Sequence, residues 1–522
     1  MGNRTYNILF HTHTVSGIVI SAALYVIFFA GSFSFFRDEI VNWERGHTPE
    51  TNNELSSDFN ALIQDLGKDY QLYGRDVELR HYYNERNINV SLGASKDSLA
   101  EEAEKAGAFF YLDTKDGSTE SYEASYSLGE FLYRLHFFAQ IPYPYGYYLS
   151  GLVAFFFLFA VLTGIIVHWN KIISNFYVFR PWAKLKTLWT DAHTALGVIG
   201  FPFQFVYAVT GAFFMLKILL VAPAVFTLYE GDEDEMYKDL EYTHPEFAFQ
   251  QEPLNETPDI NALVAQTRKH WEGFRVNEVH IFNYGDRNMH VSVGGELVYR
   301  SRLNGPGNII YRVADGEVVH LEDPVMEASY LDGVKNMLLR LHFGDYAGYG
   351  LKVASFLLGL ISCFVILSGV MIWLVARDKN HIPERRRRFN EGVVRYYLAI
   401  CLSMYPVTAL AFILVKLWQP AGMAFLYRTY FISWLFFSIY FILRKDNSIT
   451  NKYTLLSGSI LGILVPLING LATGNWLWKT YREGNLHVFM VDFIWILLSV
   501  TTFLVYLKLS KEVSPAAGKR RA

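Results

Sequence analysis

Six of the 15 histidines stand where an apolar run meets its flank. His11, His13, His168 and His193 fall at one end of three such runs, and His136 and His342 stand just ahead of two others. An ionisable group at membrane depth is costly and is a functional hypothesis by default. The histidines also recur in order. His13-Thr-Val-Ser-Gly17 is matched by His193-Thr-Ala-Leu-Gly197, with Gly31 and Gly211 each 18 residues after the histidine. Arg134-Leu-His-Phe137 returns as Arg340-Leu-His-Phe343, and the small pairs Thr163-Gly164 and Ser368-Gly369 follow, their glycines 28 and 27 residues after the histidines.

The chemistry that wants this pattern is haem ligation. Iron in a b-type haem takes two axial imidazoles, and a helical bundle supplies them from facing helices. The two copies pair naturally, His13 with His193 at one face of the membrane and His136 with His342 at the other. Two haems would then make an electron path across the bilayer. Gly17, Gly31, Gly164, Gly197, Gly211 and Gly369 are small enough to let a porphyrin or another helix approach closely. A single histidine at a span end is often only an interfacial anchor; the ordered repetition is what argues for ligation. His168 has Trp373 at its repeat position, and His11 has no counterpart. Either could replace a partner in the inner pair or touch a propionate. His47, His81, His244, His270, His280, His290 and His320 lie in polar connections and read as surface or turn histidines.

These groups must be positioned by membrane helices. In 522 residues, 52% are hydrophobic, 16% aromatic and 18% charged, against roughly 25% charged in a globular domain. Disorder is excluded by the apolar content, and a net charge of -4 gives no basic field for nucleic acid. Two cysteines, Cys363 and Cys401, both in apolar runs, exclude a disulfide scaffold, a zinc finger and a CxxC motif. CxxCH is absent, so haem is not attached in the usual c-type way.

About 20 apolar residues span a bilayer. Eight such runs are predicted: Val15 to Phe36, Gly151 to Trp169, Ala192 to Leu216, Val353 to Ala376, Tyr396 to Val415, Tyr430 to Leu443, Tyr453 to Ala472 and Val488 to Leu507. Arg428 and Asp492, near the ends of the sixth and eighth, must snorkel or pair. Basic loops at 170–191, 377–392 and 444–452, with the basic tail, place both termini in the cytoplasm by the positive-inside rule.

The polar connections 38–134 and 223–341 then lie on the opposite side. A helix near Ser57 to Leu66 precedes strands at Val77 to Tyr83, Ile88 to Leu92 and Phe109 to Leu112. A helix at Asn261 to Trp271 precedes Val276 to Asn283, Met289 to Val293, Leu297 to Ser301 and Ile309 to Val313, with turns at Gly294-Gly295 and Gly305-Pro306-Gly307. Asp232 to Glu235 reads as a solvated linker. The fold class is a polytopic α-helical membrane protein with about eight transmembrane helices and two small α+β domains inserted. Its divisions are 1–37, the first span; 38–147, the first outer domain; 148–222, spans two and three; 223–349, the second outer domain; 350–377, span four; 378–392, a basic loop; 393–508, a C-terminal four-helix block; and 509–522, a tail.

With these motifs in hand, residues 1–380 resemble the PepSY-associated transmembrane family, and the outer domains are similar to PepSY modules. The resemblance implies a bacterial inner-membrane protein with periplasmic domains. Its best-understood members are ferric-siderophore reductases, which pass electrons through two haems. It also implies His13, His193, His136 and His342 as axial ligands, with His168 and His11 as alternates. The partners to expect are a ferric siderophore or similar periplasmic chelate, an electron donor and membrane lipid. This chain reads Gly31-Ser32 where the family usually has Thr-Gly. No GxGxxG, P-loop or flavin fingerprint is evident, so the donor is expected to be quinol or a cytoplasmic reductase. No Ser/His/Asp or HExxH arrangement points to hydrolysis. Tyr143, Tyr145, Tyr147, Tyr148, Tyr346 and Tyr349 cluster near His136 and His342, as an aromatic belt or a substrate platform. Two other classes compete: a haem-free PepSY scaffold or regulator, and a transporter, to which Pro202, Pro223 and Pro466 would contribute broken helices.

Overall fold

The computed structural model describes residues 2–46, 55, 58–101, 105–169, 172–177, 180, 185–240, 245–255, 258–297, 305–324 and 330–512. His47 and His244 lie outside them. Among the described residues, eight helices are long and apolar enough to cross a membrane: Asn3–Ser34, Tyr145–His168, Thr187–Lys217, Gly348–Arg377, Glu384–Leu417, Gly422–Arg444, Asn447–Thr473 and Leu486–Lys511. These are spans one to eight. The first begins a dozen residues before its charge-free run, so His11 and His13 sit within a helix. The third belongs to a longer helix, Leu185–Leu228, that continues through Pro202 and Pro223, and Pro466 likewise lies inside span seven. The expectation of broken helices is therefore corrected. An internal proline removes one backbone donor, and here the helix continues past the gap.

The chain divides into two compact units. The membrane unit comprises 1–46, 126–223 and 341–522, and the outer unit 47–125 and 224–340. The outer boundaries are thus narrower than the expected 38–147 and 223–349. The reason is the short helix Arg37–Arg45, which carries buried charges satisfied within the membrane unit. Arg37 donates to Glu130 at 2.9 Å, and Lys352 to Glu39 at 2.7 Å. The Trp43 indole donates to Asp492 at 2.8 Å, and Asn469 to the second oxygen of that carboxylate at 2.9 Å. Lys416 of span five donates to the Trp43 carbonyl and lies 4.5 Å from the Trp43 ring centre. Asp492 is thus paired, not snorkelling, whereas Arg428 is exposed. The C-terminal block is centred on span five, whose apolar window is 72% buried against 22% to 44% in the other spans.

The outer unit is one sheet, where two separate α+β domains were expected. β1 (Val77–Arg80), β2 (Asn87–Leu92), β3 (Ala108–Asp113) and β4 (Thr119–Glu120) come from the first insertion. β5 (Phe274–Phe282), β6 (His290–Leu297), β7 (Pro306–Arg312) and β8 (Val318–Glu322) come from the second. The order is β4-β3-β2-β1-β5-β6-β7-β8, antiparallel throughout. Each four-stranded meander alone would leave its first strand with an unpaired edge. Joining β1 to β5, with Glu78 opposite His280 and Leu79 opposite Val279, removes both edges.

The helices Phe59–Asp69 and Ile260–His270 contribute Phe59, Ile63, Leu66, Ile260 and Val264 to the core together with the inward residues of the strands. Their N-termini are bonded reciprocally. Asn60 donates to Asp259 at 2.8 Å and Asn261 to Asp58 at 2.7 Å. The amide oxygens of Asn261 and Asn60 accept from the backbone N–H groups of Phe59 and Ile260, each at 2.9 Å. Two further readings change. Gly294-Gly295 is no turn but the middle of β6, where a Cβ at Gly295 would meet the Arg275 carbonyl oxygen at 2.1 Å. Glycine is needed there because β5 bulges between Val276 and Glu278. Of the expected strand Leu297 to Ser301, Leu297 ends β6 and 298–301 lie outside the described residues, while Pro306 and Gly307, expected in a turn, open β7. Asp232 caps a short exposed helix, Glu233–Asp239, where a linker was expected.

Residues opposed in an antiparallel pair have Cα atoms about 4.5–5.5 Å apart, within the range of about 4.4–6.8 Å that a disulfide bridges. The double variant Glu78→Cys, His280→Cys should therefore form an intramolecular disulfide, seen as a reduction-sensitive mobility shift. Two free thiols remaining at these positions after oxidation would mean that the insertions do not share a sheet.

Candidate functional site

Both predicted pairs come together. The ring centres of His13 and His193 are 6.1 Å apart, with the planes at 69°. Those of His136 and His342 are 6.2 Å apart, with the planes at 32°. All four residues are half-buried. His136 ends the helix Leu128–Leu135, and His342 lies in the last turn of Tyr330–Phe343. Gly31 of span one lies beside His136, where a Cβ would stand 3.8 Å from that of the histidine. His13 and Gly31 are 18 residues apart on one helix, or about 27 Å at 1.5 Å per residue. The pairs therefore stand near opposite ends of span one, across about the 30 Å of a hydrocarbon core.

Each Nδ1 is bonded in a way that fixes the tautomer. His13 donates from Nδ1 to the Ala160 carbonyl at 2.8 Å, and His193 to the Val365 carbonyl at 2.9 Å. His136 donates to the Tyr133 carbonyl at 2.5 Å. His342 Nδ1 lies 2.8 Å from the Thr210 hydroxyl, which gives its own proton to the Val206 carbonyl at 2.7 Å and so must accept from the ring. A carbonyl only accepts, so His13, His193 and His136 carry the proton on Nδ1, and His342 does the same with the Thr210 proton on the Val206 carbonyl; the Nε2 lone pairs are left for a metal. Burial pushes His136 down to about 4 and His342 down to about 3, so both are neutral at pH 7, as ligation requires.

The inner seats are copies. In span two, Ala160 is followed three residues later by Thr163 and four later by Gly164; in span four, Val365 is followed by Ser368 and Gly369. A Cβ on Gly164 would lie 3.1 Å from His13 Cε1, and one on Gly369 3.2 Å from His193 Cε1. The glycines admit the ring edge-on to the carbonyl one turn back. The other glycines divide. Gly211 packs against Ala154 at 3.3 Å, whereas a Cβ on Gly17 or Gly197 would meet nothing within 4 Å. Those two lie one turn along from His13 and His193 and border open space rather than a helix.

The alternates do not form the pair. His11 is exposed and edge-on to Phe10 of its own helix. His168 is half-buried and close enough to His193 to act on it electrostatically, but it is His13 whose ring faces His193. Of the tyrosines, Tyr143 and Tyr145 are exposed at 74% and 71%, while Tyr147 packs on Phe137 at 5.2 Å and Tyr349 lies beside Lys352 and His487. The sequence reading missed Tyr207, whose hydroxyl donates to the His342 carbonyl at 2.8 Å, and the bonding role of Thr210. Their spacing from His193, 14 and 17 residues on one helix face, was the available signal.

The residues fit a six-coordinate haem iron. Two imidazoles on one metal have ring centres about 6.2 Å apart, because the metal–nitrogen bond is about 2.0 Å and the ring centre lies about 1.1 Å beyond. Both separations agree. Among the described residues no three His, Cys, Asp or Glu side chains gather as a metal-binding group.

A family model described as the PepSY-associated TM region matches residues 10–376. No curated protein matches the chain.

Overpacking a well-filled seat costs about 1–3 kcal/mol. Gly164→Val and Gly369→Val should each lower the thermal unfolding temperature in detergent more than Gly350→Val, since a Cβ at Gly350 meets nothing within 4 Å. Equal shifts at all three positions would contradict the seating of the rings.

Proposed function

The chain belongs to the PepSY-associated transmembrane family, and from that premise we propose that it is a transmembrane haem oxidoreductase that carries electrons outward to a periplasmic ferric chelate, with a siderophore as the substrate class. The observation that carries this reading is the pair of imidazole pairs, each at a ligating separation and each with its proton held on Nδ1. His13 and His193 would hold one b-type haem, and His136 and His342 a second. Bound there, the haems would supply one-electron carriers near the two faces of the membrane, one electron being needed for each ferric ion reduced. The chain holds the ligand planes apart, keeps their protons off Nε2 and surrounds them with apolar helix. The Lys/Arg distribution supports both termini inside a bacterial inner membrane. Quinol or a cytoplasmic reductase would donate at the His13–His193 end. The transporter alternative loses its broken helices, because the spans are continuous through their prolines.

Purified full-length protein should give about two haems per chain by pyridine haemochrome assay, one for each bis-imidazole site. His136→Ala and His342→Ala should each remove one haem and abolish ferric-chelate reduction. They should leave the other haem reducible from the inner side. His13→Ala and His193→Ala should remove the other haem. Haem-free protein from cells with adequate haem would replace this reading with the scaffold alternative.

Orientation is tested separately. Leu99→Cys replaces a side chain that is 91% exposed, and Glu317→Cys one that is also exposed. Both should react with an impermeant thiol reagent applied to spheroplasts, while Arg386→Cys should react only after lysis. The reverse pattern would invert the topology and the direction of electron flow.

A further inference from the structure

The two copies differ at the outer pair. Thr210 lies 17 residues after His193, and the residue 17 after His13 is Ala30; Tyr207 likewise has Ile27 as its counterpart. Span three therefore offers a hydroxyl to a neighbouring imidazole, and span one offers a methyl group. The histidines behave accordingly. His342 places its Nδ1–H on the Thr210 hydroxyl, while His136 turns to the Tyr133 carbonyl of its own chain segment. Thr210 is buried, at 1% exposure, so its bond to His342 is not readily exchanged for one to water, and Ala30, at 0%, offers no such bond.

We infer that Thr210 is a positioning residue that sets the donor strength of His342 and makes the two imidazoles of the outer pair unequal. This rests on the haem reading above. A ligand's basicity rises with the strength of the acceptor on its far nitrogen. A neutral hydroxyl draws on the N–H less than an amide carbonyl does, so His342 gives less electron density through Nε2 than His136. The other three imidazoles use main-chain carbonyls, which no substitution removes. His193 Nδ1 also lies 3.1 Å from the Ser368 hydroxyl but keeps the Val365 carbonyl; the His342 acceptor is a side chain alone, and it belongs to the pair assigned to the substrate side. Weaker donation leaves ferrous iron relatively favoured, so the inequality holds the outer site at a more positive potential than two matching carbonyls would. Tyr207, one turn earlier on the same face, grips the His342 carbonyl and not its ring. Backbone anchoring and ring tuning are thus assigned to different residues.

The test uses the full-length protein purified with its haem, with haem content and the midpoint potential of each haem read by spectroelectrochemistry. Thr210→Ser keeps the hydroxyl and should match the parent in both. Thr210→Val should weaken retention of one haem by about 10–100-fold and move its midpoint to more positive values, leaving the second haem unchanged. Tyr207→Phe should shift neither midpoint. The inference is overturned if Thr210→Val leaves both midpoints and both haems as in the parent. It is also overturned if both haems shift together, or if Tyr207→Phe reproduces the Val effect, since either pattern marks a general packing loss. Parent protein that binds no haem would sink the functional reading itself, and that result is distinct from two haems with an insensitive Thr210.

Discussion

A neutral imidazole inside a helical bundle has one N–H to satisfy, and little water is there to do it. Much of the membrane unit's local construction follows from where those four protons go. A helix carbonyl already engaged along its own axis can take a second donor only if the flank beside it is bare. That is why Gly164 and Gly369 stand four residues after the accepting carbonyls of Ala160 and Val365. The hydroxyls of Thr163 and Ser368 bond those same carbonyls, so each inner seat is a small cluster of donors around one oxygen. With Nδ1 held, the ring can turn about neither χ1 nor χ2 without losing its bond.

A second polar cluster does different work. The helix Arg37–Arg45 carries Arg37, Glu39, Asn42 and Glu44 into surroundings with almost no solvent. Their partners come from elsewhere in the membrane unit: Glu130 after the first insertion for Arg37, Lys352 in span four for Glu39, His487 in span eight for Asn42, and Lys416 in span five at the Glu44 carbonyl. Such groups are retained when paired, and breaking one pair strands its partner. The spans absent from the repeat are thereby tied to those that carry it, through contacts that are polar and specific. Apolar packing alone would discriminate poorly among helices in lipid.

Much of this was legible beforehand. The number of spans follows from apolar run length, and the pairing of His13 with His193 and of His136 with His342 follows from internal repetition. Helix ends were less legible: a charge-free run marks the hydrocarbon-crossing part, while helices such as Asn3–Ser34 extend beyond it. The single outer sheet was not legible, because alternation within a strand says nothing of which strand lies beside it. Gly294-Gly295 was misread because two glycines signal a turn on composition, and the bulge that requires them lies on the neighbouring strand. The Asp-x-Asn triplets at 58–60 and 259–261 could have announced that the repeat continues into the insertions. They are short enough to pass unnoticed until their reciprocal bonds are seen.

The seam between β1 and β5 also has a meaning for how the protein is made. About 200 residues, including two membrane spans, separate Arg80 from Phe282. At a synthesis rate of about 5–20 residues per second, β1 is made roughly 10–40 s before its partner β5 exists. Throughout that interval β1 offers an open ladder of hydrogen-bonding groups to any other extended chain. The order of biogenesis is therefore imposed by topology: insertion of spans two and three precedes completion of the outer sheet.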